Sequence, residues 1–272
     1  TTGTYTVTVF QTNGCEATAS IDVTVEPLPA VSISASGPTT FCDGGEVTLT
    51  ASDGAEFLWS NGATSQSIVV TTTGNYSVTV HDANGCAATS APTPVVVNAL
   101  PAVSIAASGP TRFCDGGSVN LTASNGAEFL WSNGATTQST QVTTGGDYSV
   151  TVTDINGCFA TSAATPVVVD PLPVVSISAT GPTTFCDGGT VDLIANPPSG
   201  SYVWSTGEMG DEITVGDSGD YSLVATNEFG CSASSNVIQV TANPLPAIPT
   251  ISTVSAGGSA TLTSNPEASY LW

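Results

Sequence analysis

The residues of this chain that are best able to do chemistry are its seven cysteines. One series lies in the motif Phe-Cys-Asp-Gly-Gly and recurs at intervals of 72 residues: Cys42, Cys114 and Cys186. The other series directly follows a glycine in a turn-forming sequence: Cys15, Cys86, Cys158 and Cys231. Zinc normally requires four Cys or His ligands, whereas each period contains two cysteines and His81 is the only histidine. The pattern therefore favours disulfides over a metal site.

Calcium is a second possibility at the sequence that precedes the second cysteine series. Asp82 with Asn84, and Asp154 with Asn156, offer oxygen ligands two residues apart. The same Asp-x-Asn-Gly sequence is ordinary hairpin chemistry, because Asn and Gly tolerate the backbone of tight turns. Neither loop has the crowded acids of an EF-hand. We therefore expect turns here, with calcium as the weaker alternative and no other cofactor.

Catalysis is poorly supported. His81, the only possible histidine base, is replaced by Thr153 in the next period. Two carboxylates for glycoside hydrolysis would have to face one cleft, but the acids fall mostly in turns and change between periods. We expect a protein that is not an enzyme.

The charge composition narrows the choice of partners. The chain of 272 residues contains 22 Asp and Glu and one Lys or Arg, a formal net charge of -21. Nucleic acid and anionic membrane surfaces are disfavoured, because no basic surface exists to displace their counterions. No apolar run approaches the length of a membrane-spanning helix, so membrane insertion is not expected.

The elements that must position these residues are short strands. Runs that alternate apolar and polar residues are separated by Gly, Asn, Asp and Pro, and no amphipathic helix intervenes. In the first full period we predict strands near residues 31–36, 46–51, 56–60, 66–71, 76–81 and 94–98. This pattern predicts an all-β protein built of antiparallel sandwiches or barrels. Fixed spacing of the cysteines and tryptophans predicts a tandem array.

Leu-Pro pairs mark the expected boundaries of the array. We predict repeat 1 at residues 28–99, repeat 2 at residues 100–171 and repeat 3 at residues 172–244. Residues 1–27 match the last two strands of a preceding repeat, and residues 245–272 match the first strands of a following one. Neither fragment can bury a core alone. Continuation of the protein beyond both ends is the expectation, and completion of the halves between molecules is the alternative.

The sequence resembles the immunoglobulin fold at its most regular motifs. The runs Val-x-Leu-x-Ala, aromatic-x-Trp and Gly-x-Tyr-x-Val or Leu resemble strands B, C and F, and repeat 3 resembles an I-set domain. The resemblance implies core tryptophans on strand C and tyrosine corners before strand F: Trp59, Trp131, Trp204, Tyr76, Tyr148 and Tyr221. The inter-sheet cystine of antibody domains would fall at Ala51 and Val78, which are both apolar, so packing around Trp59 must hold the core.

The resemblance also bears on the cystines. In an immunoglobulin-like domain the Cys42 series lies at the bottom, before strand B, and the Cys86 series lies at the top, after the F–G turn. Because a disulfide needs Cα atoms within about 7 Å, this favours pairing between consecutive repeats. The favoured pairs are Cys42–Cys158 and Cys114–Cys231, which leaves Cys15, Cys86 and Cys186 for partners elsewhere. Pairing within repeats remains the alternative: Cys42–Cys86, Cys114–Cys158 and Cys186–Cys231.

A narrower resemblance concerns the sequence motifs of the repeat. The sequences GPTTFCDGG, LWSNGATTQS and DANGC resemble repeat arrays of large surface adhesins of Bacteroidetes bacteria, exported by the type IX secretion system. The resemblance implies an extracellular, rod-like stalk or filament segment whose partners are its own neighbouring repeats. Self-association into fibres and contact with a glycan or surface protein are further possibilities.

The loops after the core tryptophans help to choose between a stalk and a binding module. Those of repeats 1 and 2 are nearly identical, which favours a stalk. The different loop at residues 205–210 of repeat 3 keeps open an adhesin module that binds glycan or protein.

Overall fold

The computed structural model describes residues 1–197 and 201–247, together with the backbone of two strands near the C-terminus, Ser252–Ala256 and Ser259–Thr263. All the regular secondary structure in this part of the chain is β-strand. The chain starts with a hairpin of β1 (Gly3–Phe10) and β2 (Glu16–Val23). Both faces of this hairpin are exposed.

Three sets of nine strands follow, one in each sequence repeat. Repeat 1 contains β3 (Ile33–Ala35), β4 (Thr40–Cys42), β5 (Val47–Ala51), β6 (Glu56–Trp59), β7 (Ser67–Val70), β8 (Gly74–Tyr76), β9 (Val78–His81), β10 (Ala87–Thr89) and β11 (Thr93–Asn98). Repeat 2 contains β12 (Ile105–Ala107), β13 (Arg112–Cys114), β14 (Val119–Ala123), β15 (Glu128–Trp131), β16 (Ser139–Val142), β17 (Gly146–Tyr148), β18 (Val150–Thr153), β19 (Phe159–Thr161) and β20 (Thr165–Asp170).

Repeat 3 contains β21 (Ser176–Ala179), β22 (Thr184–Cys186), β23 (Val191–Asn196), β24 (Ser201–Trp204), β25 (Glu212–Val215), β26 (Gly219–Tyr221), β27 (Leu223–Thr226), β28 (Ser232–Ser234) and β29 (Ile238–Asn243). The last two strands, β30 (Ser252–Ala256) and β31 (Ser259–Thr263), pair with each other. Tyr270 and Trp272, which the sequence places on the next strand C, lie outside the described residues.

The described chain divides into two compact units. The first consists of residues 1–108, 120–141 and 147–165, and therefore includes all of repeat 1. The second consists of residues 109–119, 142–146 and the described part of 166–272, and therefore includes all of the described part of repeat 3. Repeat 2 contributes strands to both.

Repeat 1 shows how the strands form a sandwich. One sheet has the order β3-β5-β7 and is antiparallel throughout. The opposite layer combines β6-β9-β10 with β4-β11-β8, in which β4 runs parallel to β11. Because β8 and β9 are separated by one residue, they form one interrupted strand, and β10 and β11 form another. The arrangement is an immunoglobulin-like sandwich with strands A, B and E facing strands A′, G, F and C.

Alternation of residue type along the strands fills the space between these layers. Val47, Leu49 and Ala51 of β5 are buried, whereas the threonines between them are half-buried. Val78 and Val80 enter the same core from β9 and are completely buried. Ala51 and Val78, where antibody domains have cystine, are thus core residues held by packing alone.

The strand predictions missed β4 and β10, which are three residues long and too short to show a period. β4 exists because the chain passes beside the end of β11 and pairs with it in parallel. β10 exists because the chain turns back beside β9. Ser90 joins the broken strands, since its Oγ accepts a hydrogen bond from Val78 N at 3.1 Å.

Candidate functional site

The three strand C tryptophans are core residues. Trp59, Trp131 and Trp204 each end their strand and are 2% exposed. Each indole Nε1 donates to a carbonyl of the following loop, at 2.7 Å to Ser65 O, 2.8 Å to Thr137 O and 2.9 Å to Gly210 O. Burial of the ring and of its polar atom leaves no indole face free to stack on a sugar.

The tyrosines at the start of strand F are buried beside them. Tyr76 Oη donates to Thr72 O at 3.1 Å, and Tyr221 Oη donates to Asp217 O at 3.0 Å. Both bonds run to the fourth residue upstream, as in a tyrosine corner. Tyr148 is equally buried, at 7% exposure. The corners fix the turn that leads into strand F, and strand F leads to the second cysteine series.

The first cysteine series lies at the end of strand A′. Cys42, Cys114 and Cys186 pair in parallel register with the last residue of strand G. The turn that follows is the same in all three repeats, because the N–H of the second glycine donates to the cysteine carbonyl at 2.9 Å. The preceding glycine has a positive φ, 88° at Gly44, which explains the Asp-Gly-Gly sequence.

The second cysteine series lies in the F–G turn. Asp82 Oδ1 accepts hydrogen bonds from Asn84 N and Cys86 N, both at 2.9 Å. Asp154 does the same at 2.8 and 2.9 Å. In repeat 3 the amide oxygen of Asn227 accepts the equivalent bonds at 3.1 and 2.9 Å. A carboxylate and an amide oxygen thus accept the same two hydrogen bonds, so the turn requires an acceptor oxygen and not a negative charge.

These turns contain the calcium candidates Asp82, Asn84, Asp154 and Asn156. One carboxylate oxygen of each aspartate is already used by two backbone N–H groups. Across the described residues, no group of three or more His, Cys, Asp or Glu side chains is arranged to hold a metal ion. His81, half-buried on β9, lies in register with Glu56 on one side and Ala87 on the other.

The two disulfides join the two cysteine series between consecutive repeats. Cys42 of repeat 1 is bonded to Cys158 of repeat 2, and Cys114 of repeat 2 is bonded to Cys231 of repeat 3. The Cα–Cα distance is 5.6 Å in both. The within-repeat alternatives Cys42–Cys86, Cys114–Cys158 and Cys186–Cys231 are not formed. Cys15, Cys86 and Cys186 are free thiols, and Cys15 and Cys186 are exposed.

The second of these junctions contains an ion pair that the sequence analysis missed. Arg112 Nε donates to Asp170 Oδ2 at 2.8 Å, and Arg112 Nη2 donates to Asp170 Oδ1 at 3.0 Å. The guanidinium also lies 4.9 Å from the centre of the Phe229 ring in the F–G turn of repeat 3. Asp170 is buried, with 6% exposure. The signal in the sequence was that Arg112 is the only basic side chain of the Lys or Arg type.

The ion pair shifts the acid–base behaviour of both partners. The hydrogen bonds from Arg112 lower the pKa of the Asp170 carboxyl, against the opposing effect of its burial. The same hydrogen bonds, with the nearby negative charge, raise the pKa of Arg112 above its ordinary value. The pair therefore stays ionised under ordinary conditions.

A further hydrogen bond crosses the same junction. Asn227 Nδ2 donates to Pro171 O at 2.8 Å, so the residue that caps the F–G turn of repeat 3 also holds the last residue of repeat 2. Asp154, its counterpart in repeat 2, has no hydrogen to donate when ionised.

The loop at residues 205–210 differs from its counterparts at four positions, and its large apolar side chain is Met209. Met209 is 80% exposed and forms an isolated bridge with Val203. Trp204 N donates to Glu208 O at 2.8 Å, so the loop is tied back to strand C. Repeats 1 and 2 have Thr64 and Thr136 at the methionine position.

In the part of the chain that the structure describes, no helix is long and apolar enough to cross a membrane.

Comparisons with known proteins leave the family open. No protein-family model matches the chain, and no curated protein matches it in sequence. Among solved structures, the chain is similar to the ICAM-5 D1–D4 ectodomain fragment at 11% identity and a TM-score of 0.44, over 90% of this chain and 83% of the other. It is also similar to three N-terminal domains of the bacteriophage RB49 outer capsid protein Hoc, at 15% identity and a TM-score of 0.31, over 78% of this chain and 98% of the other. A third is a structure of fibronectin(III)-like modules of Clostridium thermocellum CbhA, at 14% identity and a TM-score of 0.26, over 52% and 95%.

Proposed function

We propose that the chain is an extracellular stalk or filament segment of a large secreted bacterial surface protein, and that it is not an enzyme. The observation that carries the proposal is the pair of disulfides that each join one repeat to the next. A disulfide within a repeat would stabilise that repeat alone, whereas one between repeats also restricts their relative motion. Consecutive tandem domains linked in this way are suited to extending and spacing.

Location outside the cell is supported by the chemistry of the same residues. Disulfides persist in oxidising compartments and are rare in reducing cytosol. The sequence motifs of the repeats resemble those of Bacteroidetes adhesins exported by type IX secretion, which agrees with a cell-surface location. The charge of -21 should limit lateral association of such segments except through specific contacts.

The partners proposed for the repeats are further repeats of the same kind. Cys186 lies in the same backbone setting as Cys42 and Cys114, with Gly189 N donating to its carbonyl at 2.9 Å. Cys86 lies in the same turn as Cys158 and Cys231. Cys86 and Cys186 therefore have the backbone geometry for a bond to the complementary cysteine of a neighbouring repeat, along one chain or within a multi-chain fibre.

Small-angle X-ray scattering of the full chain tests the mechanical proposal. The parent is compared with a variant that carries Cys158→Ser and Cys231→Ser. We expect the variant to show a broader distribution of particle dimensions, because its repeats lose their cross-links. The matched control carries Cys86→Ser and Cys186→Ser, which removes thiols but no bond, and should scatter like the parent. Identical scattering from the parent and the first variant would contradict the stalk proposal.

An adhesin module that binds glycan or protein is the second candidate. It is favoured by Met209, an exposed apolar side chain in a loop that repeats 1 and 2 fill with threonine. A glycan array with the oxidised chain tests it, with Met209→Thr as the variant and Thr64→Ser as the control. Reproducible binding that Met209→Thr removes would support the adhesin. Absence of binding by the parent would leave the spacer as the better description of this segment.

A further inference from the structure

The two junctions between repeats have the same covalent design. In each, a strand A′ cysteine is bonded to an F–G turn cysteine of the next repeat, with the same Cα–Cα distance. The backbone around the first cysteine is also the same, since Asp43 N donates to Asn98 O and Asp115 N donates to Asp170 O, both at 2.8 Å. Any difference in stiffness must therefore come from the surrounding side chains and from the linkers.

The junction between repeats 2 and 3 has side-chain contacts in addition to its disulfide. Asp170 fixes the guanidinium of Arg112 through two hydrogen bonds, and the fixed guanidinium faces the Phe229 ring of the next repeat. The amide of Asn227 reaches back to Pro171. We call Arg112, Asp170, Asn227 and Phe229 the junction clamp. Its two cross-repeat contacts are a cation–π interaction and a hydrogen bond.

The junction between repeats 1 and 2 has other residues at all four clamp positions. Thr40, Asn98, Asp154 and Asn156 stand where the clamp has Arg112, Asp170, Asn227 and Phe229. Neither a cation nor an aromatic ring is present, and an ionised Asp154 cannot donate.

The linker between repeats 2 and 3 is also the more restricted of the two linkers. Repeat 2 leads into repeat 3 through Pro171, Leu172 and Pro173, so two prolines fix φ and restrict the leucine between them. Repeat 1 leads into repeat 2 through Ala99, Leu100 and Pro101, with one proline.

We propose that the two junctions are mechanically unequal: the junction of repeats 1 and 2 is a hinge held by its disulfide, whereas the junction clamp keeps repeats 2 and 3 fixed even without theirs. A single disulfide and a single linker restrain two bodies at two points, which leaves rotation about the line that joins them. Contacts of the clamp lie at further points and oppose that rotation. Loss of the first disulfide leaves the linker without a clamp, whereas loss of the second leaves both the linker and the clamp. The proposal does not depend on the stalk function.

Residual dipolar couplings of the ¹⁵N-labelled full chain test this directly, because repeats that move as one body share one alignment tensor. The first variant carries Cys42→Ser and Cys158→Ser, and we expect repeats 1 and 2 to lose their common tensor. The second carries Cys114→Ser and Cys231→Ser, and we expect repeats 2 and 3 to keep theirs. Equal loss at both junctions would overturn the proposal. Amide chemical shifts within each repeat establish that the variants are folded.

Two further variants assign the stiffness to the clamp. Adding Arg112→Thr and Asn227→Asp to the second variant should abolish the common tensor of repeats 2 and 3. The reverse graft places Thr40→Arg, Asn98→Asp, Asp154→Asn and Asn156→Phe in the first variant and should restore a common tensor to repeats 1 and 2. A common tensor that survives removal of the clamp, or a graft that is folded yet restores nothing, would overturn the assignment.

Discussion

Replacement of Trp59 by alanine tests the core of repeat 1. Its indole is buried among strands of both layers, and its Nε1 donates to Ser65 O at 2.7 Å. The substitution removes the largest side chain of this core and leaves the serine carbonyl without its donor. Because Trp59 lies at the centre of the sandwich, the neighbouring side chains can fill the space only in part.

The expected loss follows from the area and the cavity. Removal of roughly 150 Å² of buried surface costs about 4 kcal/mol at ~25 cal/mol per Å². Measured Trp→Ala substitutions in cores cost about 3–5 kcal/mol, which agrees. A repeat near 72 residues has a free energy of unfolding of roughly 4–11 kcal/mol. Repeat 1 should therefore lose a large fraction of its stability.

Urea unfolding of the full chain, followed by the amide signals of each repeat in NMR spectra, measures this loss. We expect the midpoint of repeat 1 to fall while that of repeat 3 stays near its parent value. Leu58→Ala is the matched control, since Leu58 is adjacent on β6 but faces solvent at 54% exposure. If Trp59→Ala lowers the midpoint no more than Leu58→Ala does, the reasoning about the core is wrong.

Four shorter predictions follow from the same structure. Tyr76→Phe removes the hydrogen bond to Thr72 O and should cost repeat 1 about 1 kcal/mol in urea unfolding; no change would contradict the tyrosine corner. Asp154→Asn should keep both turn hydrogen bonds and change stability by less than about 0.5 kcal/mol, whereas Asp154→Ala should cost about 1 kcal/mol; a calcium-specific stabilisation abolished by Asp154→Asn would instead establish a metal site. Because Arg112 lowers the pKa of Asp170, the contribution of this ion pair to stability should be constant above the ordinary carboxyl pKa of about 3.9. It should be lost as the pH falls through the lowered pKa, so the urea midpoints of the parent and of Arg112→Thr should converge in acid. Added salt should raise the melting temperature of this acidic chain, since the Debye length falls from about 10 Å at 0.1 M to about 3 Å at 1 M; a melting temperature that falls with salt would contradict this.

The strands that could be predicted from sequence are those with a period. Val47–Ala51 alternates over five residues, so its buried face is visible without a structure. Thr40–Cys42 and Ala87–Thr89 have no readable pattern, because three residues become a strand only when a partner strand lies beside them. The link between β10 and β11 at Ser90 is similar, since the Oγ of Ser90 needs the N–H of Val78 opposite it.

Part of the candidate site could be predicted from the sequence, and part of it could not. The resemblance to the immunoglobulin fold implied that the two cysteine series lie at opposite ends of each repeat, and this favoured bonds between repeats over bonds within them. The junction clamp was not predictable, because Arg112 and Phe229 lie in different repeats and each replaces the residue that its motif has in the other repeats. A lone arginine among 22 acidic residues has many possible partners, and only the folded chain selects Asp170.

The sequence by itself determined the period, the alternating strands and the glycine turns, because each depends on residues close together in the chain, and its resemblance to the immunoglobulin fold implied the core tryptophans. Tertiary structure decided the parallel pairing of β4 with β11, the ion pair of Arg112 and the contacts of the junction clamp. These depend on side chains that meet only after the strands have packed, and a pairwise contact between repeats leaves no periodic trace in the sequence.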